Sequence, residues 1–298
     1  MRLSWLSCGR GFVVAAILSL VVGSAAGCDG PQSEPRAAAE PPAAAAAAPS
    51  FVGDFETGNF DQWPVCQNVA VRSVGCSALG PPTYSMQVEN YLVRQGEFAA
   101  RFEVRQGDVP AGVCCGARAE VSGEADSHAG EGDERWYQWS TMFDAQFPPS
   151  HGPHEWSVLS QWHADADGSP PVAVDVGDDQ WKIVLTKWNS PGEPDPPQFA
   201  VWGAPVVRGV WNDIKMHIKW SARDDVGFIE FWLNGGQQVF TDGPCAQQTR
   251  CMIRTLMPGG GGVYFKQGYY RDPSIVPTGV VYHDGFSIAD TEDGLAPL

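Results

Sequence analysis

Residues 214–220 read Ile-Lys-Met-His-Ile-Lys-Trp, and this run constrains the fold more than any other part of the chain. Side chains of an extended strand alternate between its two faces. Ile214, Met216, Ile218 and Trp220 therefore share one face, and Lys215, His217 and Lys219 the other. The same period recurs where Phe98, Ala100, Phe102 and Val104 alternate with Ala99, Arg101 and Glu103. Residues 136–143, 181–188, 228–233 and 280–288 are strand-like as well, and Asn234-Gly235 marks a hairpin turn. No window carries a helical period. Short strands joined by Gly- and Pro-rich connections predict an all-β jelly-roll sandwich.

Residues 1–27 are set apart from that fold. Arg2 and Arg10 precede a short apolar run over 12–22, and small residues lead to Ala25-Ala26-Gly27-Cys28. This is the pattern of a secretory signal. Its end resembles a bacterial lipobox with alanine at 25 in place of the usual leucine, so Cys28 is expected to be acylated. Residues 28–50, rich in Ala and Pro, cannot bury a core and read as a tether. The expected location is outside the cytoplasm, on a lipid anchor to a bacterial membrane. Residues 51–298 form one domain, expected to be monomeric, with the Pro-rich run 191–197 as an internal loop.

Six cysteines remain beyond the signal and Cys28, and an exported chain with an even count implies disulfides. Cys245 and Cys251 are placed to close a short loop. Cys114 and Cys115 are adjacent, a strained geometry for a bridge, so each is expected to pair elsewhere, with Cys66 and Cys76. The formal charge of −16 excludes nucleic acid as a natural partner. It also means that any site for an anion must be locally basic.

Three segments carry functional groups on one face and packing groups on the other. In Tyr-Phe-Lys-Gln-Gly-Tyr-Tyr-Arg (264–271), Tyr264, Lys266, Gly268 and Tyr270 face one way, and Phe265, Gln267 and Tyr269 the other. The glycine is read as room for a ligand. A lysine beside a phenol suits proton transfer on an anionic substrate. Arg118 and Glu120 share a face opposite Ala117, Ala119 and Val121, and Gln161 and His163 share a face opposite Trp162. Most of the twelve tryptophans must fill the core, with Trp188 or Trp202 as candidates to stack on sugar rings.

These segments resemble the motifs of polysaccharide lyases with a concanavalin-like jelly roll. Arg-x-Glu, Gln-x-His and Tyr-Phe-Lys-x-Gly-x-Tyr are similar to the three motifs of the alginate lyase group. Phe55-Glu56-Thr57-Gly58, Arg135-Trp136-Tyr137, Gln161-Trp162-His163 and Val281-Tyr282-His283-Asp284-Gly285 resemble the heparin-lyase-I-like and glucuronan-lyase-like families. The resemblance spans residues 55–288 and implies β-elimination on a uronic-acid polysaccharide. His163 is implied as base and Tyr270 as acid, or as both for one epimer. Arg118 and Gln161 would neutralise the substrate carboxylate. Lys266, Glu120, Arg271 and Tyr264 are assigned to substrate binding, Glu120 chiefly by orienting Arg118. No cofactor is required for this chemistry, and a structural calcium is a possible addition.

Two other readings compete. A hydrolase needs two carboxyls across the scissile bond; Glu120 and Glu124 could share a strand face, but Glu124 falls in the loop-like stretch 123–132, which argues against the pair. A non-catalytic, lectin-like carbohydrate-binding module would use the fold and the aromatics without needing Lys266, Tyr270 and His163 together. Asp165-Ala166-Asp167-Gly168 resembles the start of a calcium loop but lacks the later ligands. His151 and His154 have poor spacing for zinc and read as loop residues.

Overall fold

The computed structural model describes residues 48–79, 83–111, 115–148 and 156–298. The expected signal, Cys28, most of the tether, and His151 and His154 lie outside them. The strands in chain order are β1 (Phe51–Gly53), β2 (Val65–Asn68), β3 (Val71–Gly75), β4 (Met86–Glu89), β5 (Ala99–Val104), β6 (Ala117–Ser122), β7 (Glu134–Phe143), β8 (Ser157–Ala164) and β9 (Val172–Gly177). They continue with β10 (Gln180–Thr186), β11 (Gln198–Pro205), β12 (Trp211–Lys219), β13 (Phe228–Leu233), β14 (Gly236–Gln237), β15 (Arg250–Met252), β16 (Val263–Arg271) and β17 (Gly279–Ala289). Among the described residues the only helical turns are short 3-10 segments.

Two antiparallel sheets make the jelly-roll sandwich. One has nine strands on the path β14-β13-β12-β7-β17-β5-β4, with β1 on β17 and β15 on β13. The other has eight, in the order β11-β10-β9-β8-β16-β6-β2-β3. Their inner faces meet in an aromatic core. Phe265 of the eight-stranded sheet stacks on Phe286 of the nine-stranded sheet, with ring centroids 4.1 Å apart and planes 12° apart. Trp162, Trp139, Trp63 and Trp220 are fully buried around them. Burying one such ring contributes about 1.5–3 kcal/mol.

The alternation read from 214–220 holds: Ile214, Met216, Ile218 and Trp220 are core residues. On the outer face His217 is held between Glu230 (2.7 Å) and Glu134 (2.8 Å) and stacks on Trp136. The Asn234-Gly235 turn joins β13 to β14 with both residues at positive φ (51° and 80°), as a hairpin of matching twist requires. Residues 191–197 lie in the loop between β10 and β11.

Two expectations are corrected here. Cys66 pairs with Cys76, not with the 114–115 pair, because the β2–β3 hairpin brings their Cα atoms to 4.9 Å. The Cys245–Cys251 bridge forms as expected, and Cys115 is also disulfide-bonded. Trp188 and Trp202 are packing residues and not sugar platforms. Trp202 sits in the main core, and Trp188 is buried against Ala164 and Met257.

Candidate active site

The three polar-faced segments are neighbours in the eight-stranded sheet. β16 lies between β6 and β8. Ala117, Ala119, Val121, Trp162, Phe265 and Tyr269 all point into the core, so the opposite face carries Arg118, Glu120, Gln161, His163, Tyr264, Lys266 and Tyr270. Register places Tyr270 opposite Arg118, Lys266 opposite Gln161, and Tyr264 opposite His163. The three strands thus gather these polar side chains on one outer sheet face, where His163, Tyr264 and Tyr270 are half-buried. A cavity of about 340 Å³ lies elsewhere, between residues 58–61, 76–79 and 86–88, and its lining holds no pair of proton-transfer groups.

Glu120 organises the base of the site. Its Oε1 accepts from Gln161 Nε2 (2.7 Å), and its Oε2 accepts from Lys266 Nζ (2.9 Å) and Arg118 (3.4 Å). Burial alone would raise the Glu120 carboxyl. The Lys266 ammonium and the Arg118 guanidinium outweigh that and hold it below its ordinary value. Lys266 is shifted down by burial, which the Glu120 charge opposes. At 2% and 4% exposure, Glu120 and Lys266 are sealed beneath the face. Gln161, itself 2% exposed, lies at the same depth, and Glu120 and Lys266 hold it and Arg118 in place. Lys266 also donates to Gln67 Oε1 at 2.9 Å.

Tyr270 stands on this base. The Arg118 guanidinium carbon lies 3.8 Å from its ring centroid, and Trp156 packs edge-on at 4.5 Å. Burial raises the Tyr270 phenol above its ordinary value, partly opposed by Arg118, so it is protonated at neutral pH. Arg118, not Lys266, is the cation beside the phenol.

His163 faces the same way. Its Nδ1 lies 2.6 Å from the Ala164 carbonyl oxygen. A carbonyl only accepts, so Nδ1 carries the proton and Nε2 keeps its lone pair. Burial, reinforced by the Lys266 charge, lowers the imidazole pKa. His163 is thus a neutral base at neutral pH. Tyr264 stacks on it with ring centroids 5.2 Å apart.

Two expectations about β16 change. Arg271 is fully buried and donates to the Pro277 carbonyl oxygen at 2.6 Å. It shares the inward face with Tyr269, so it does not meet substrate. Gly268 makes room for a neighbouring strand and not for a ligand. It sits at φ +148° in a bulge, and a Cβ there would overlap the Ala119 carbonyl oxygen. Sequence reasoning missed Gln67 and Trp156. Gln67 belongs to a short strand with no chemical motif. Trp156 directly precedes the strand bearing Gln161 and His163, which was the available signal.

No three His, Cys, Asp or Glu side chains converge among the described residues. Asp165, the first residue of the calcium-like turn, is engaged with the Gly262 amide (2.7 Å) and His128 (3.1 Å).

The fold is similar to several solved structures. An endo-β-1,4-glucuronan lyase from the fungus Trichoderma reesei superposes with a TM-score of 0.60 at 14% identity, over 82% of this chain and 96% of that one. Alginate lyase A1-II′, of polysaccharide lyase family 7, gives 0.54 at 15% identity over 80% and 98%. The catalytic domain of a glycoside hydrolase family 131 protein from Coprinopsis cinerea gives 0.53 at 12% identity over 83% and 96%. No curated protein sequence matches the chain. A hydrolase thus shares the sandwich, and the sheets alone do not settle the chemistry. The profile of one family does match, across residues 55–287, and it places this chain in the polysaccharide lyase family.

Proposed function

We propose that this polysaccharide lyase cleaves a uronic-acid-containing chain by β-elimination on the face built from β6, β16 and β8. The observation that carries the reading is a proton acceptor and a proton donor on one face. His163 is neutral with Nε2 free to accept, and Tyr270 is a protonated phenol. In the reaction His163 takes the proton from the carbon beside the uronate carboxylate. The electron pair forms the new C=C bond as the bond to the glycosidic oxygen breaks. Tyr270 gives its proton to that oxygen, and no water is consumed. Arg118 and the second N–H of Gln161 stabilise the charge that develops on the carboxylate. No step requires a cofactor.

The hydrolase reading lacks its carboxyl pair. Glu120 is buried under three donors, and Glu124 accepts from Ser122 at 2.8 Å in a 3-10 turn. The alternative of a non-catalytic binding module leaves the fixed His163 tautomer without a purpose. The experiment is to offer the purified chain glucuronan, alginate and heparin-type polymers and follow near-ultraviolet absorbance. Unsaturated ends raise it. Binding without any rise would overturn the elimination in favour of the module.

The protein is further proposed to act as an exported monomer tethered through acylated Cys28. Its disulfides agree with an oxidising compartment. Cys28→Ala is expected to move the protein from the membrane fraction to the soluble one.

A further inference from the structure

The register that brings Arg118 and Tyr270 together continues across the sheet. Tyr270 pairs with Val158, Val158 with Asp175, Asp175 with Lys182, and Lys182 with Gly203. Directly opposed residues project to the same side of a sheet. Val174 and Val176 on β9, and Trp181 and Ile183 on β10, point into the core. Asp175 and Lys182 therefore stand on the face that carries Tyr270. Strands lie about 4.8 Å apart, so Asp175 is roughly 10 Å and Lys182 roughly 14 Å from Tyr270 along this row. The neighbouring row, through Gln161, Ala173 and Val184, has no charge beyond β8. The row then opens at the exposed, side-chain-free Gly203.

Neither side chain is satisfied by the protein. The Oδ1 atom of Asp175 is buried without a hydrogen-bond partner. Leaving such an atom unpaired costs about 1–3 kcal/mol. Of the chain's five lysines, four are held in salt bridges, to Asp224, Glu292, Glu134 and Glu120. Among the described residues Lys182 is the one that is not, although Asp175 is its cross-strand neighbour. An open acceptor and an open cation, side by side and in line with the reacting groups, match the hydroxyl and the carboxylate of one uronate ring.

We infer that Asp175 and Lys182 form a subsite for a uronate residue beyond the scissile bond, with Lys182 holding its carboxylate and the half-buried Asp175 carboxyl bonding to a ring hydroxyl. The inference rests on the proposed polyuronate-cleaving function. Burial pushes the Asp175 carboxyl up to about 7, with Lys182 opposing. The titratable groups facing it are Lys182 on β10 and, beyond Val158, Tyr270 on β16. Ionised Asp175 would repel a uronate, so substrate binding weakens as pH rises through that value.

The test compares wild type with Lys182→Met and Asp175→Asn, using long polyuronate and the shortest oligouronate that is cleaved. Lys182→Met is expected to raise KM for the polymer about tenfold without a matching loss in kcat. The short substrate, which does not reach the row, should show no such change. Wild-type KM should climb between about pH 6 and 8, and Asp175→Asn should flatten that climb. Unchanged polymer KM in both variants, with wild type active, overturns the subsite alone. A wild type inactive on every polyuronate overturns the function and the subsite with it.

Discussion

The imidazole of His283 lies with Nε2 2.9 Å from the carbonyl oxygen of Gly268, a bond from the nine-stranded sheet into the bulge of β16. Gly268 can only accept, so Nε2 carries the proton. Nδ1 then accepts from Thr141 Oγ1, also at 2.9 Å. Both ring nitrogens are satisfied in a fully buried, neutral ring. The bulge it grips lies two residues before Tyr270 and adjusts the direction of the strand there.

Burial of this ring, which the bond to Gly268 only partly offsets, predicts an acid-sensitive fold. Burial lowers His283 from 6.5 to about 4. A group whose folded pKa is depressed in this way contributes stability above its unfolded value. That contribution is lost as pH falls from 6.5 toward 4 and amounts to about 3 kcal/mol in all. His283→Gln is expected to be less stable at pH 7 and to lose less on acidification. Urea denaturation at pH 7 and pH 4.5 measures the difference. An equal loss in both proteins would show that His283 is not the sensor.

Removing either proton-transfer group should abolish turnover and leave the fold intact. Tyr270→Phe and His163→Ala are each expected to lower kcat by about 10²–10⁴-fold, with circular dichroism and Tm close to wild type. Near-wild-type rates in both variants would sink the mechanism.

The pH profile of kcat/KM should be broad. The base must be neutral, and burial lowers His163, so the acid limb lies below the ordinary imidazole value of 6.5. The acid must be protonated, and burial raises Tyr270, so the alkaline limb lies above 10. Rates measured from pH 4 upward check both limbs. An acid limb above 6.5 would assign the base to another group.

Breaking the buried network costs stability as well as rate. Glu120→Ala leaves Lys266 and Arg118 without their shared carboxylate and is expected to destabilise by about 3–5 kcal/mol. Glu120→Leu combined with Lys266→Met should recover part of that, because no lone buried ammonium remains. It should not recover activity, because Arg118 and Gln161 lose their anchor. Denaturant melts and the absorbance assay separate the two effects.

Gly268→Ala is predicted to be more damaging than an ordinary strand substitution. It forces a side chain against the Ala119 carbonyl at φ +148°, next to the strand that holds Arg118 and Glu120. Lower Tm together with lost turnover is expected, and wild-type values of both would contradict the strand-contact role.

The sequence by itself determined the faces. Period-two alternation is local pleat geometry, so 118/120, 161/163 and 264/266/270 could be sorted to one side without a partner strand. The same parity puts Arg271 with Tyr269, and its assignment to substrate disregarded that. Depth, partnership and spacing were decided only in the tertiary structure. Lys266 and Glu120 lie on the correct face yet are buried, where β2 lays Gln67 beside Glu120 and against Lys266, 199 residues further along the chain. Gly268 reads as open space until β6 is seen to fill it. The Cys66–Cys76 bridge depends on the return of one short hairpin. Each of these follows from which strand lies next to which, and the short-range pattern of side chains does not encode that.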